Sequence, residues 1–193
     1  MLIDAAIRVV GRSVDGSLSV NDVLAEASLS TRAFYRHFES KEALVDTLLL
    51  REAEGVGRAL EQAVASAPDP VAAVDAWLEG LLDVFYEARR VKRARQLYAA
   101  ATDRERWLSE RVTFEMRRMS CAPLIGALRA GDEQGLLRSP TPEADAASIY
   151  ELALQHREAL GRTADRAATR AHVVRFAWPA LGLTAPEDSR PRD

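Results

Sequence analysis

Between Thr31 and Lys41 the chain gathers side chains that donate hydrogen bonds or carry positive charge: Thr31, Arg32, Tyr35, Arg36, His37 and Lys41. An arginine can grip O6 and N7 of a guanine with two parallel bonds, and the methyl groups of Thr31 and Ala33 can meet a thymine. Tyrosine, histidine and lysine can reach phosphate oxygens. Three cations here stand against one carboxylate, Glu39, although the chain as a whole carries 26 Lys and Arg against 29 Asp and Glu, a formal net charge of −3. A basic tip on an acidic body argues against indiscriminate nucleic-acid binding and suits a reader of particular sites.

Such a tip needs rigid elements behind it. Val20, Val23, Leu24 and Ala27 recur at helical spacing and predict a helix of about two turns with one buried face. Ser19 stands at its N-cap, with Asp22 three residues on as a weak capping box. Ser28-Leu29-Ser30 interrupts the pattern, and Ser30 is placed to cap a second helix from Thr31 to about His37, anchored through Phe34 and Phe38 on one face. Two capped helices so close together make a helix-turn-helix. A first helix over residues 2 to about 13 precedes it, with Ile3, Ala6, Ile7 and Val10 inward and Asp15-Gly16 ending it. A long helix capped by Ser40 follows, from Lys41 to about Ala65.

The run Phe34-Tyr35-Arg36-His37-Phe38 with Ser40-Lys41-Glu42-Ala43-Leu44, together with Ile3-Asp4-Ala5-Ala6, resembles the TetR family of bacterial transcriptional regulators. The close resemblance covers about fifty N-terminal residues; beyond them it is one of layout. It implies that Tyr35, His37 and Lys41 touch DNA backbone, that Thr31, Arg32 and Ala33 face bases, and that Ser19, Ser30 and Arg36 belong to the same DNA-contacting set. It also implies an all-α fold of about nine helices: a helix-turn-helix domain over residues 1–50, a ligand-binding and dimerisation domain over 51–183, and a disordered tail over 184–193. Two positions depart from the family. Ser28 replaces a usual turn glycine, so a position that often needs positive φ is expected to find another solution. Leu24 replaces a small residue, which implies a slightly different packing of the two helices.

Past the linker Ala67-Pro68-Asp69-Pro70, with Asp69 as N-cap and Pro70 at the first helical position, a helix to about Ala88 carries Val71, Val74, Leu78, Leu81 and Phe85 in register. Further helices are expected over about Val91–Ala101, Asp103–Ala130, Pro142–Leu160 and Thr163–Leu181, with Pro123 kinking or interrupting the second of these four by removing one hydrogen bond. Trp77, Phe85, Tyr86, Tyr98, Trp107, Phe114, Met116 and Met119 are either plain core or, as the resemblance implies, the lining of a pocket for a small effector. The run Arg89, Arg90, Lys92, Arg93 and Arg95 reads as a solvated helix junction or as a lure for an anionic ligand.

Other chemistry finds little support. Gly55-Val56-Gly57 follows no strand and has Leu60 where a nucleotide loop needs a third glycine. The single cysteine, Cys121, has no resolving partner, and His156 and His172 lie on different helices with no carboxylate or cysteine at metal-ligand spacing. Neither a nucleophile motif nor a paired-acid arrangement points to an enzyme, and no cofactor or metal is expected. Apolar runs fall well short of the roughly 20 residues of a membrane helix, so a cytoplasmic location is expected. The reading is a one-component regulator, a repressor that binds a near-palindromic DNA operator as a homodimer through its last two helices and is released by a small molecule. The alternative is a helical small-molecule-binding protein or enzyme whose N-terminal domain has lost DNA reading.

Overall fold

The structure is a computed structural model that describes residues 1–13, 18–87, 96–97, 110–161 and 165–184. The basic run at 89–95, the helix expected from Val91 apart from Gln96 and Leu97, the region 101–109 and the tail from residue 185 lie outside the described residues. The described residues form eight helices and no strand: α1 Leu2–Arg12, α2 Val20–Ala27, α3 Thr31–Tyr35, α4 Lys41–Ala65, α5 Pro70–Tyr86, α6 Glu110–Glu133, α7 Pro142–Leu160 and α8 Arg166–Ala180. The all-α class is therefore as expected.

The chain divides into two compact units, one of Met1–Gly55 with Ala88–Met116, the other of Val56–Glu87 with Arg117–Asp193. α4 and α6 each contribute turns to both. In the first unit Leu2, Ala5, Ala6, Val10, Val23, Leu24, Phe34, Leu44, Val45 and Leu48 share one core, which Leu97 and Val112 complete. Leu24 is buried in it. In the second, one face of α5 (Val74, Trp77, Leu78, Leu81) packs in a core with Leu124, Leu128, Ala153, Val173, Val174 and Trp178.

Helix ends follow the capping residues. Ser19 Oγ accepts from the Asn21 amide (3.2 Å), Ser30 Oγ from Ala33 (3.3 Å), Ser40 Oγ from Ala43 (3.2 Å) and Asp69 Oδ1 from Ala72 (2.8 Å). Asp69 precedes Pro70, whose missing N–H costs nothing at the first helical position. α3 stops at Tyr35, earlier than the expected His37, because the amides of His37 and Phe38 both turn back to the Phe34 carbonyl (2.8 and 2.9 Å) and close the helix as a turn.

Ser28 corrects an expectation. Rather than avoiding positive φ it adopts it (φ 53°, ψ 44°), as no other non-glycine among the described residues does. The next amide, Leu29 N–H, then reaches back to the Leu24 carbonyl at 3.0 Å, which closes α2 with the bond of a left-handed C-cap. α6 contains Pro123 and runs through it without interruption from Glu110 to Glu133, so the expected loss of one hydrogen bond does not break the helix. The proline removes the amide that would bond the Met119 carbonyl, and Gly57 of α4 lies against that oxygen; a Cβ there would come within 3.2 Å of it. One residue on, the Ser120 carbonyl accepts the Trp77 indole N–H at 2.8 Å.

Candidate nucleic-acid interface

Phe34 is the post on which the candidate surface stands. It is fully buried, with the Tyr35 ring edge-on at 5.3 Å and the Phe38 ring tilted at 5.7 Å. Anchoring one side of a five-residue helix turns the others outward: Thr31, Arg32, Tyr35, Arg36 and His37 are exposed, and Ala33 and Lys41 half-buried. Tyr35 is 60% exposed although its ring edge is braced, so its hydroxyl is presented on a stiff stem. The expected contact residues from Thr31 to Lys41 thus occupy one short stretch that α3 and the start of α4 carry.

Ser19 and Ser30 lie at the N-termini of α2 and α3 and are exposed. Each uses an oxygen lone pair to accept a backbone amide, which leaves its O–H proton free to donate to an acceptor such as a phosphate oxygen. Ser40 has the same cap geometry beside Lys41, and the sequence reading assigned it only to capping.

Electrostatics separate this surface from the helices behind it. Glu26 of α2 takes Arg8 at 2.6 Å and also Arg12, both from α1, and these two guanidinium groups, Arg12 first, hold its carboxyl below the ordinary value. Arg51 of α4 bonds Asp4 of α1 at 2.9 Å. Those arginines are spent on joining α1 to α2 and α4. Among the described residues, no ion pair engages Arg32, Arg36 or Lys41. Positive charge left uncompensated on a rigid exposed stretch attracts polyanions.

The candidate effector-pocket residues differ in burial, and Trp77 belongs to the core of the second unit, against which Phe85 packs. Trp77 is fully buried with its indole N–H committed to Ser120. Phe85 is half-buried beneath the Arg157 guanidinium, 5.4 Å from the ring centre. Phe114 is 55% exposed, Met119 is half-buried, and Met116 packs against the core of the first unit. Tyr98 and Trp107 lie outside the described residues. The described residues form an open groove of about 500 Å³ elsewhere, between α7 and α8, where Asp145, Ile149 and Leu152 face Phe176, Ala177 and Leu181. Phe176 is 52% exposed there. The sequence reading missed this groove because it depends on the register of two helices against each other.

Cys121 is buried with its Sγ 3.8 Å from the Ala146 carbonyl, and burial pushes the thiol up to about 11, so it stays a thiol at neutral pH. No three His, Cys, Asp or Glu side chains among the described residues come together as a metal site. No described helix is long and apolar enough to cross a membrane.

Residues 2–48 match the family described as bacterial regulatory proteins, tetR family. The chain is similar in structure to reduced NemR of E. coli, with 21% identity over 96% of this chain and 97% of that one and a TM-score of 0.64. RolR solved without ligand is 19% identical, with 98% and 96% covered and a TM-score of 0.67, and RolR has also been solved with resorcinol. FadR of Bacillus subtilis in complex with stearoyl-CoA is 13% identical, with 89% and 94% covered and a TM-score of 0.61. No curated protein matches the sequence.

Proposed function

We propose, since residues 2–48 match the tetR family of bacterial regulatory proteins and the fold of the chain is similar to that of solved transcriptional regulators, that this protein is a cytoplasmic, ligand-responsive repressor. It binds a near-palindromic operator as a homodimer and is released by a small organic effector. The observation that carries the reading is the exposed α3, with Arg32 and Arg36 free of carboxylate partners among the described residues.

In this reading α3 enters the major groove. Arg32, with Thr31 and Ala33, meets base edges, while Tyr35, His37 and Lys41 bond phosphates and fix the register. Ser19 and Ser30 donate their remaining hydroxyl protons to the backbone, and Arg36 adds charge. The dimer forms through α7 and α8, whose groove and half-exposed Phe176 present an apolar strip that a second copy can cover. Two copies related by a two-fold axis place their α3 helices in successive major grooves, about 34–36 Å apart.

RolR with resorcinol and FadR with stearoyl-CoA support an organic effector for the second unit. Release requires that the effector bind the two states unequally, since equal binding shifts nothing. α4 runs unbroken from the Ser40 cap to Ala65 and provides a covalent route from one unit to the other.

Selection of bound duplexes from a random pool by purified protein tests the reading. Enrichment of an inverted repeat is expected. A folded dimer that enriches nothing would defeat operator binding and leave a helical small-molecule-binding protein or enzyme as the better account.

A further inference from the structure

His156 of α7 and His172 of α8 meet face to face, with ring centroids 4.1 Å apart and planes 26° from parallel. The His156 Nδ1 lies 3.0 Å from the Thr169 hydroxyl, which is 2.6 Å from the hydroxyl of Tyr86 on α5. The His172 Nδ1 lies 3.4 Å from a guanidinium nitrogen of Arg175. Arginine only donates, so a hydrogen bond here requires the lone pair of Nδ1 and is open only to the neutral ring that carries its proton on Nε2. His172 also contacts Phe176, at 4.9 Å between centroids, and the Arg175 guanidinium lies 4.5 Å from the same phenyl ring.

The carboxylates of α5 that pack against α8, Asp75, Glu79 and Asp83, are engaged by Arg166 and Arg170 and not by either ring. On α8 the other charged groups around the pair are Arg175 and Arg170, the latter committed to Asp75 and Glu79. From α7 comes Arg157, stacked over Phe85, and from α5 Tyr86. Among the described residues no carboxylate pairs with either ring. Stacked rings send their lone pairs out in near-parallel planes instead of toward one point, and no third metal-ligating side chain among the described residues accompanies them. The geometry therefore serves contact between the rings and not a shared metal ion.

We infer that the His156–His172 stack is a proton-operated latch: neutral rings hold α7 to α8, and mild acid parts them and disturbs the face that Leu152 and Phe176 form. Two imidazolium rings at this separation, next to Arg175, repel each other, and protonating Nδ1 of His172 also destroys its bond from Arg175. Burial first, then His156, then Arg175 hold the His172 ring below its ordinary value of 6.5. A group whose folded pKa is lowered in this way takes its proton first in the unfolded chain. Its contribution is complete above about 6.5 and is lost as the pH falls from there through the lowered folded value. Leu152 and Phe176 belong to the groove, so opening the latch also loosens the dimer; that consequence rests on the proposed dimer.

The test is an imidazole proton NMR titration of the full chain from about pH 8 to 5, the range in which histidine changes charge. The chain has three histidines, and His37→Gln removes the one outside the pair and so assigns the spectrum. Denaturation midpoints and sedimentation at about pH 7.5 and 5.5 accompany it, on the wild type, His172→Gln and His156→Gln. His172 is expected to titrate below its ordinary 6.5, and the wild-type midpoint to fall on acidification where that of His172→Gln holds. The dimer dissociation constant should rise by up to about tenfold per pH unit for each excluded proton. Titration of His172 at or above 6.5, with parallel pH dependence in wild type and variants, would overturn the latch whatever the oligomeric state. A monomer at both pH values would instead defeat the dimer reading, and the titration alone would then decide the latch.

Discussion

Two groups of arginines among the described residues live under opposite regimes. On α3 and at its C-cap, Arg32 and Arg36 stand in solvent with no carboxylate partner among the described residues. Where α5 meets α8, Arg166 bonds Glu79 at 2.6 Å and Asp83 at 2.8 Å, and Arg170 bonds Asp75 at 2.6 Å and takes Glu79 as well. Burial raises the Glu79 carboxyl, but the hydrogen bonds from Arg170 and Arg166 outweigh it and hold the group below its ordinary value. The same side chain therefore does two jobs. Surrounded by acids it is satisfied internally and fastens helices, whereas left alone on a braced helix it is held for an external anion.

The contrast breaks most visibly at Arg170, whose side chain is only 22% exposed. Arg170→Met should cost about 1–3 kcal/mol of stability, less than the loss of one partner from a fully buried pair, because Asp75 and Glu79 are partly wet and Glu79 keeps Arg166. Urea denaturation measures it, and operator preference should not change. Glu79 gives the pH signature of the same seam. Its stabilisation is present above its ordinary 4.5 and disappears as the pH falls through the lowered folded value. An Arg170→Met protein should consequently lose less stability on acidification below about 4.5 than the wild type does.

Arg32→Ala should do the reverse. Fold stability should stay within about 0.5 kcal/mol, while specific DNA binding loses roughly 1–3 kcal/mol and preference relaxes at one base pair in each half-site. A binding competition over single-base operator variants reads this out, and unchanged preference would remove Arg32 from the base-reading set. Lys41→Ala should weaken binding to every sequence and lower the salt slope by about one unit. Ser28→Gly, next to the reading helix but carrying no charge, should raise stability by about 0.5–1 kcal/mol, since glycine accepts φ 53° without the strain a Cβ brings. A thermal melt decides it.

Much of the reading unit was legible because its signals are local. Ser19, Ser30, Ser40 and Asp69 cap helices from within three residues, and Phe34 announces its face by spacing alone. The conformation of Ser28 was not legible, since the side chain carries no mark of the sign of φ. The ion pairs of Arg166 and Arg170, and the meeting of His156 with His172, depend on the register of α8 against its neighbours, which helical periodicity does not set. The sequence leaves Pro123 either to kink its helix or to interrupt it; α6 is not interrupted, and Gly57 of α4 packs against the carbonyl that the proline leaves without an amide.

Leu97 is 4% exposed and Val112 1% exposed, and both are built into the core formed by α1 to α4, where Gln96 also bonds the Ser13 carbonyl at 2.9 Å. A fragment cut after the first fifty residues would carry an open apolar socket where those side chains belong. For anyone grafting this reading head onto another sensor, the transplant has to bring its own plug for that socket, and α1 to α4 do not make a free-standing cassette.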